Sequence, residues 1–177
     1  MKQTLQNYLS NRKLIATYSL PEKPDSFEVG FIDEIDDDTI MLEGYADDGS
    51  FDGYIILWIK DIYQIEWDSK YVKMISKLLS SDNQNNKLND LSNHCIADLI
   101  RYAQNSNRII TIGLLSRDGK QLMGYIQRIT SKTITLRIVN QYGEQDGITI
   151  IYLNDCKYLS CGGHEESIVE KLSKLSS

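Results

Sequence analysis

The sequence predicts a mainly β protein with flanking helices (α+β), built as two tandem five-stranded small barrels, each with a short helix before its strands and another after them. Three observations carry that prediction. The stretch from Gly30 to Ile62 returns ninety-four residues later, from Gly124 to Cys156, with no gap and with eleven of thirty-three positions identical. The identities fall on apolar, glycine and acidic-turn positions, among them Gly30/Gly124, Ile40/Ile134, Leu42/Leu136, Gly49/Gly143, Gly53/Gly147 and Asp61/Asp155. Short apolar runs broken by Gly and Asp turns alternate with a period of two. Finally, only Lys60-Asp61 and Asn154-Asp155 separate the last two strands of each copy, and a bent, closed sheet hides the edges that a flat one would expose.

The elements follow in order. Leu5, Tyr8 and Leu9 put one apolar side on a short helix from Thr4 to Ser10, and Lys13 to Tyr18 reads as the first strand. Pro21 and Pro24 punctuate the loop that follows. Phe31 to Ile35 and Thr39 to Glu43 form a hairpin around Asp36-Asp37-Asp38, with Ile40 and Leu42 alternating against Met41 and Glu43. Asp47-Asp48-Gly49 and Asp52-Gly53 mark the next turn, where Gly supplies positive φ and Asp caps the backbone. Tyr54 to Ile59 and Ile62 to Trp67 complete five strands. Asp68 or Ser69 caps a helix with Tyr71, Met74, Ile75, Leu78 and Leu79 at helical spacing.

Polar residues 81–92 read as the linker between a first unit, 1–80, and a second, 93–177. The second unit repeats the order: a helix at 93–104, strands at 108–114, 121–129, 133–139, 147–153 and 156–159, and a closing helix at 165–175. Asp118-Gly119 marks a tight hairpin in the place of the proline loop.

Composition excludes several classes. With 41% hydrophobic and 25% charged residues the chain is an ordinary globular one. Its apolar runs are too short to span a bilayer, and its N-terminus has no signal-like pattern, so no membrane partner and a cytoplasmic location are expected. Three cysteines, all in the second half, do not make a disulfide framework. The net charge of −6 is unevenly spread: residues 1–90 hold 9 basic and 17 acidic side chains, a net −8, and residues 91–177 hold 10 and 8, a net +2. A polyanion is repelled by the first unit and at best weakly drawn to the second.

The segment Gly30-x-Ile32-x-x-Ile35-Asp36, followed by Thr39-Ile40-Met41-Leu42, resembles the first motif of the Sm-like (SH3-like) small β-barrels, and Trp58 to Ile62 sits where such barrels turn between their last two strands. The resemblance covers about 55 residues of each unit and is to tandem barrel proteins of bacterial type. It implies association through strand edges, as rings or tandem pairs. Sm-like RNA binders resemble one another in an Asn after the motif's Asp and in a basic turn before the last strand. Here those places hold Thr39 and Lys60-Asp61, then Thr133 and Asn154-Asp155, so the implied RNA contacts are not carried over.

Candidate sites follow from charge, sulfur and aromatic placement. Glu34, Asp38 and Glu43 correspond to Arg128, Lys132 and Arg137, a charge exchange at three equivalent positions that suits complementary pairing of unlike units or simple surface drift. Alternation points Glu43 and Arg137 outward. Trp58 and its counterpart Tyr152 recur and read as core, whereas Tyr63 and Trp67 do not recur and are interface candidates. Cys161 and His164 have a usable zinc spacing, although Cys156 and Cys161 align with Ile62 and Trp67 and read as small buried hydrophobes. No nucleophile with a base, carboxylate pair or phosphate loop is recognisable, so neither enzymatic chemistry nor a cofactor is expected. The expected function is a non-enzymatic interaction module that binds a protein or itself. The alternative is RNA binding by the second unit through Arg101, Arg108, Arg128, Lys132 and Arg137.

Overall fold

The computed structural model describes residues 1–79, 88, 91–115 and 120–175. The linker at 81–92 lies for the most part outside the described residues, as does the Asp118-Gly119 hairpin. The chain is mainly β with helices and divides into two compact units, Met1–Cys95 and Ile96–Ser177.

The first unit runs α1 (Lys2–Ser10), β1 (Leu14–Tyr18), β2 (Glu28–Ile35), β3 (Thr39–Tyr45), β4 (Phe51–Trp58), a single 3₁₀ turn (Ile59–Asp61), β5 (Gln64–Glu66) and α2 (Lys70–Leu78). Its strands are antiparallel in the order β5-β1-β2-β3-β4. The second contains most of α3 (Cys95–Asn105), then β6 (Ile110–Leu114), β7 (Gln121–Ile129), β8 (Thr133–Val139), β9 (Gln145–Tyr152), a second 3₁₀ turn (Leu153–Asp155), β10 (Cys156–Cys161) and α4 (His164–Leu175). Its order, β10-β6-β7-β8-β9, is the same topology.

The duplication extends to irregularities that the identities alone do not reveal. Register shifts between Ile32 and Glu34 and between Glu43 and Tyr45 recur between Ile126 and Arg128 and between Arg137 and Val139. Such bulges sharpen the bend of a strand. Gly30 is required by contact: a Cβ there would lie 2.5 Å from the Glu43 carbonyl oxygen, and one on Gly124 would lie 2.4 Å from that of Arg137. The β2–β3 turn is held by Asp36, whose Oδ1 accepts from the backbone N–H groups of Asp38 and Thr39 at 2.9 and 2.7 Å. Thr130 does the same work, its Oγ1 accepting from Lys132 and Thr133 at 3.2 and 2.9 Å. A short acceptor is what this turn needs, and Thr supplies it where the first unit has Asp.

Each closing helix is placed by its own sequence. Ser69 caps α2 by accepting from the Val72 N–H at 3.2 Å. Val72 and Ile75 then bury against Leu14, Ala16, Val29 and Tyr45. In the second unit Val169 packs with Ile109 and Val139. Polar anchors add to this packing: Glu170 accepts from the Ile109 N–H at 2.8 Å, and Glu166 accepts from the Thr111 and Ser160 hydroxyls at 2.7 and 2.6 Å. Paired in this way, the two buried carboxylates avoid the cost of an unsatisfied polar group.

Candidate interaction surface

A β-strand places alternate residues on opposite faces, so Ile148, Ile150 and Tyr152 share one face of β9 while Thr149 and Ile151 share the other. Ile151 is buried, but Ile148, Ile150 and Tyr152 are 64%, 68% and 62% exposed. They stand opposite Arg137, Thr135 and Thr133 of β8. The apolar row is therefore flanked by a cation, whose guanidinium lies 5.1 Å from the centre of the Tyr125 ring. β9 is also the end strand of its unit.

The equivalent row in the first unit is Tyr54, Ile56 and Trp58, exposed by 1%, 0% and 8%. The same strand, with the same alternation, is therefore covered in one unit and open in the other. Covering an aliphatic or aromatic side chain contributes roughly 1.5–3 kcal/mol each, so three adjacent open ones form an exposed apolar patch.

The first unit presents a second apolar site. Tyr63 and Trp67 flank its end strand β5 and are 45% and 47% exposed. Trp67 is held by the Tyr8 ring, 5.6 Å between centroids, and by the Lys13 ammonium at 5.9 Å. One face of Trp67 is thus fixed and the rest remains open to solvent.

Two sequence expectations are corrected. Glu43 does not point outward: it is 1% exposed, because Arg12 reaches its Oε2 at 2.6 Å and the Tyr45 hydroxyl donates to its Oε1 at 2.6 Å. Glu34 is buried as well. Tyr152 is not core despite recurring with Trp58, because the face that holds it is open in this unit. Asp38, Arg128 and Lys132 are exposed and Arg137 is half-buried. The three charge-exchanged positions of the first unit therefore do not form one exposed acidic surface.

The five basic candidates divide similarly. Arg101 pairs with Asp98 at 2.7 Å on α3. Arg108 is engaged within its unit, its Nε 3.4 Å from Glu170 and its terminal nitrogens donating to Tyr102 and Ser167 at 3.1 and 3.2 Å. Arg128, Lys132 and Arg137 lie together on the β7–β8 hairpin. Three of the five thus lie on one hairpin, and the other two are paired with acidic side chains.

Cys95, Cys156 and Cys161 are fully buried, and burial pushes each thiol up to about 12. Cys161 is buried although its counterpart Trp67 is 47% exposed, so the alignment did not supply the reason, while His164 is exposed at the start of α4. Among the described residues no three His, Cys, Asp or Glu side chains gather as a metal site. No helix among them is long and apolar enough to cross a membrane. The exposed Ile148 and Ile150 were not legible as a surface, since a strand apolar on both faces reads as covered on both. No protein-family model, curated protein or solved structure matches this chain.

Proposed function

We propose that the chain is a non-enzymatic assembly module of two Sm-like small barrels that joins copies of itself through its end strands, β9 of one copy docking against β5 of the next. The observation that carries this reading is the open row Ile148, Ile150 and Tyr152 on an end strand whose counterpart is buried. An apolar edge strand recruits another strand unless something blocks it, and β9 carries no Lys or Pro to do so. Tyr63 and Trp67 supply the facing aromatic surface. The net −8 of the first ninety residues against the net +2 of the rest favours unlike over like contact. Unlike contact is heterologous, and it builds a ring or a filament according to its rotation.

The test is light-scattering mass as a function of concentration. The wild-type mass is expected to rise above the 20.3 kDa of one chain and to fall as salt is raised, with single-stranded RNA making no difference. Ile148→Lys/Ile150→Lys, on an exposed face, should fold and remain monomeric. A wild-type chain that is monomeric throughout, or a lysine variant that assembles equally well, overturns the reading. A mass that shifts only with RNA assigns the Arg128, Lys132 and Arg137 hairpin to nucleic acid instead.

A further inference from the structure

Independently of β9, the second unit contains an open pocket of about 650 Å³ between α4 and the β7–β8 strands. Its inner wall is Met123, Ile138, Val139 and Val169, and Lys120, Asp146 and Glu165 line it among exposed residues. The volume falls within the range of small-ligand sites, about 300–1,000 Å³.

Comparison of the two units shows why side chains leave this space unfilled. At the equivalent positions the first unit has Phe27, Tyr45 and Tyr71 where the second has Gln121, Val139 and Glu165. Phe27 meets Tyr71 edge-on with ring centroids 5.2 Å apart, and both pack on the cluster of Leu14, Ala16, Val29, Tyr45, Val72 and Ile75. The first unit therefore fills the gap between its closing helix and its sheet with its own rings. The second unit has no ring at those positions, and its gap stays open. Its helix keeps the same seat: a Cβ on Gly143 would lie 2.4 Å from the Ser173 nitrogen and 2.5 Å from the Leu172 carbonyl carbon, as one on Gly49 would lie 2.5 Å from that of Leu78. A core that loses large side chains and cannot collapse leaves a site for whatever replaces them.

We propose that this pocket binds a small ligand bearing an aromatic ring and a cationic amine. The ring occupies the space that Phe27 and Tyr71 fill in the first unit and rests on Met123, Ile138 and Val139. The amine is drawn to Glu165 and Asp146, two carboxylates against the single Lys120, none of which makes an ion pair among the described residues. Tyr142, 65% exposed at the pocket, offers the amine a ring face. The site is confined to the second unit, since the first supplies its own rings.

The test is an NMR titration of the full chain carrying ¹³C-methyl methionine, with phenethylamine as the probe and phenylacetate as its charge-reversed control. The Met123 methyl should shift saturably with phenethylamine, and phenylacetate should bind at least about tenfold more weakly, as for a probe whose charge is unpaired. The Met41 methyl, which is fully buried in the first unit, should not move. Gln121→Phe/Glu165→Tyr, which refills the pocket as in the first unit, should lose the Met123 response. Glu165→Gln, a surface change that leaves the fold intact, should reduce the preference for the amine over phenylacetate. A Met123 methyl unmoved by phenethylamine, equal binding of the two probes, or an unchanged preference in Glu165→Gln overturns the proposal.

Discussion

Two glycines of the second unit share a backbone conformation and differ in what surrounds them, which separates conformational strain from helix packing. Gly143 and Gly147 have φ of +82° and +87°. An L-residue in this region costs roughly 1–2 kcal/mol, offset by about 0.4–1 kcal/mol because Ala stiffens the unfolded chain. A Cβ on Gly147 meets nothing within 4 Å, so Gly147→Ala should destabilise by about 1 kcal/mol, the strain alone. A Cβ on Gly143 would sit 2.4–2.5 Å from the backbone of Leu172 and Ser173, whereas ordinary contact begins at 3.4 Å. Relief needs a shift of α4 by about 1 Å, and overpacking of this kind costs roughly 1–3 kcal/mol more. Gly143→Ala should therefore lose about 2–4 kcal/mol in all. Urea unfolding followed by far-UV circular dichroism measures both variants. Fluorescence is unsuitable, since both tryptophans, Trp58 and Trp67, lie in the first unit. Equal midpoints would show that α4 does not rest on this turn.

Further outcomes follow from individual charged and thiol groups. Asp36 is partly desolvated, which raises its pKa, but hydrogen bonds from Thr39, Asp38 and Cys95 outweigh this and hold it below the usual aspartate value. Its contribution is therefore complete above about pH 3.9 and is lost as the pH falls through the lower folded value. Asp36→Asn should remove that acid-limb dependence and cost about 1 kcal/mol at neutral pH in a chemical-denaturation assay. Arg108→Ala leaves Glu170 without its cation and should destabilise by about 3 kcal/mol, whereas Arg128→Ala should change the free energy of urea unfolding by less than about 0.5 kcal/mol. With thiols raised to about 12, roughly one in ten thousand is ionised at pH 8, so a chromogenic disulfide reagent should label all three cysteines only on unfolding.

The repeat, its strands and its closing helices were legible because they depend on local pattern. Ile40 and Leu42 alternate, the Asp-Gly turns punctuate, and Tyr71, Ile75 and Leu79 fall at helical spacing, although the structure buries Val72 beside Ile75 and leaves Met74 and Leu78 exposed. The fate of each face was not legible, because it depends on residues far away in the chain. Glu43 reads as a surface acid until Arg12, thirty-one positions earlier, is placed beside it. Arg108 reads as a phosphate contact until Glu170, sixty-two positions later, reaches it. Tyr54, Ile56 and Trp58 cannot be told from Ile148, Ile150 and Tyr152 by pattern, yet one row is buried and the other open. The pocket was nonetheless recorded in the sequence: the exchange of Phe27, Tyr45 and Tyr71 for Gln121, Val139 and Glu165 is visible in the alignment of the repeats. Its meaning depends on the helix keeping its seat, which only the glycine contacts reveal.

Hydrogen exchange measured at increasing protein concentration tests the assembly claim most directly, because pairing through end strands protects amides that are otherwise open. Protection is expected to grow with concentration in Gln145–Tyr152 and Gln64–Glu66 together, while β2, β3, β7 and β8 do not change. Exchange in β9 and β5 that is independent of concentration, or protection that grows elsewhere while these two strands stay open, would contradict it.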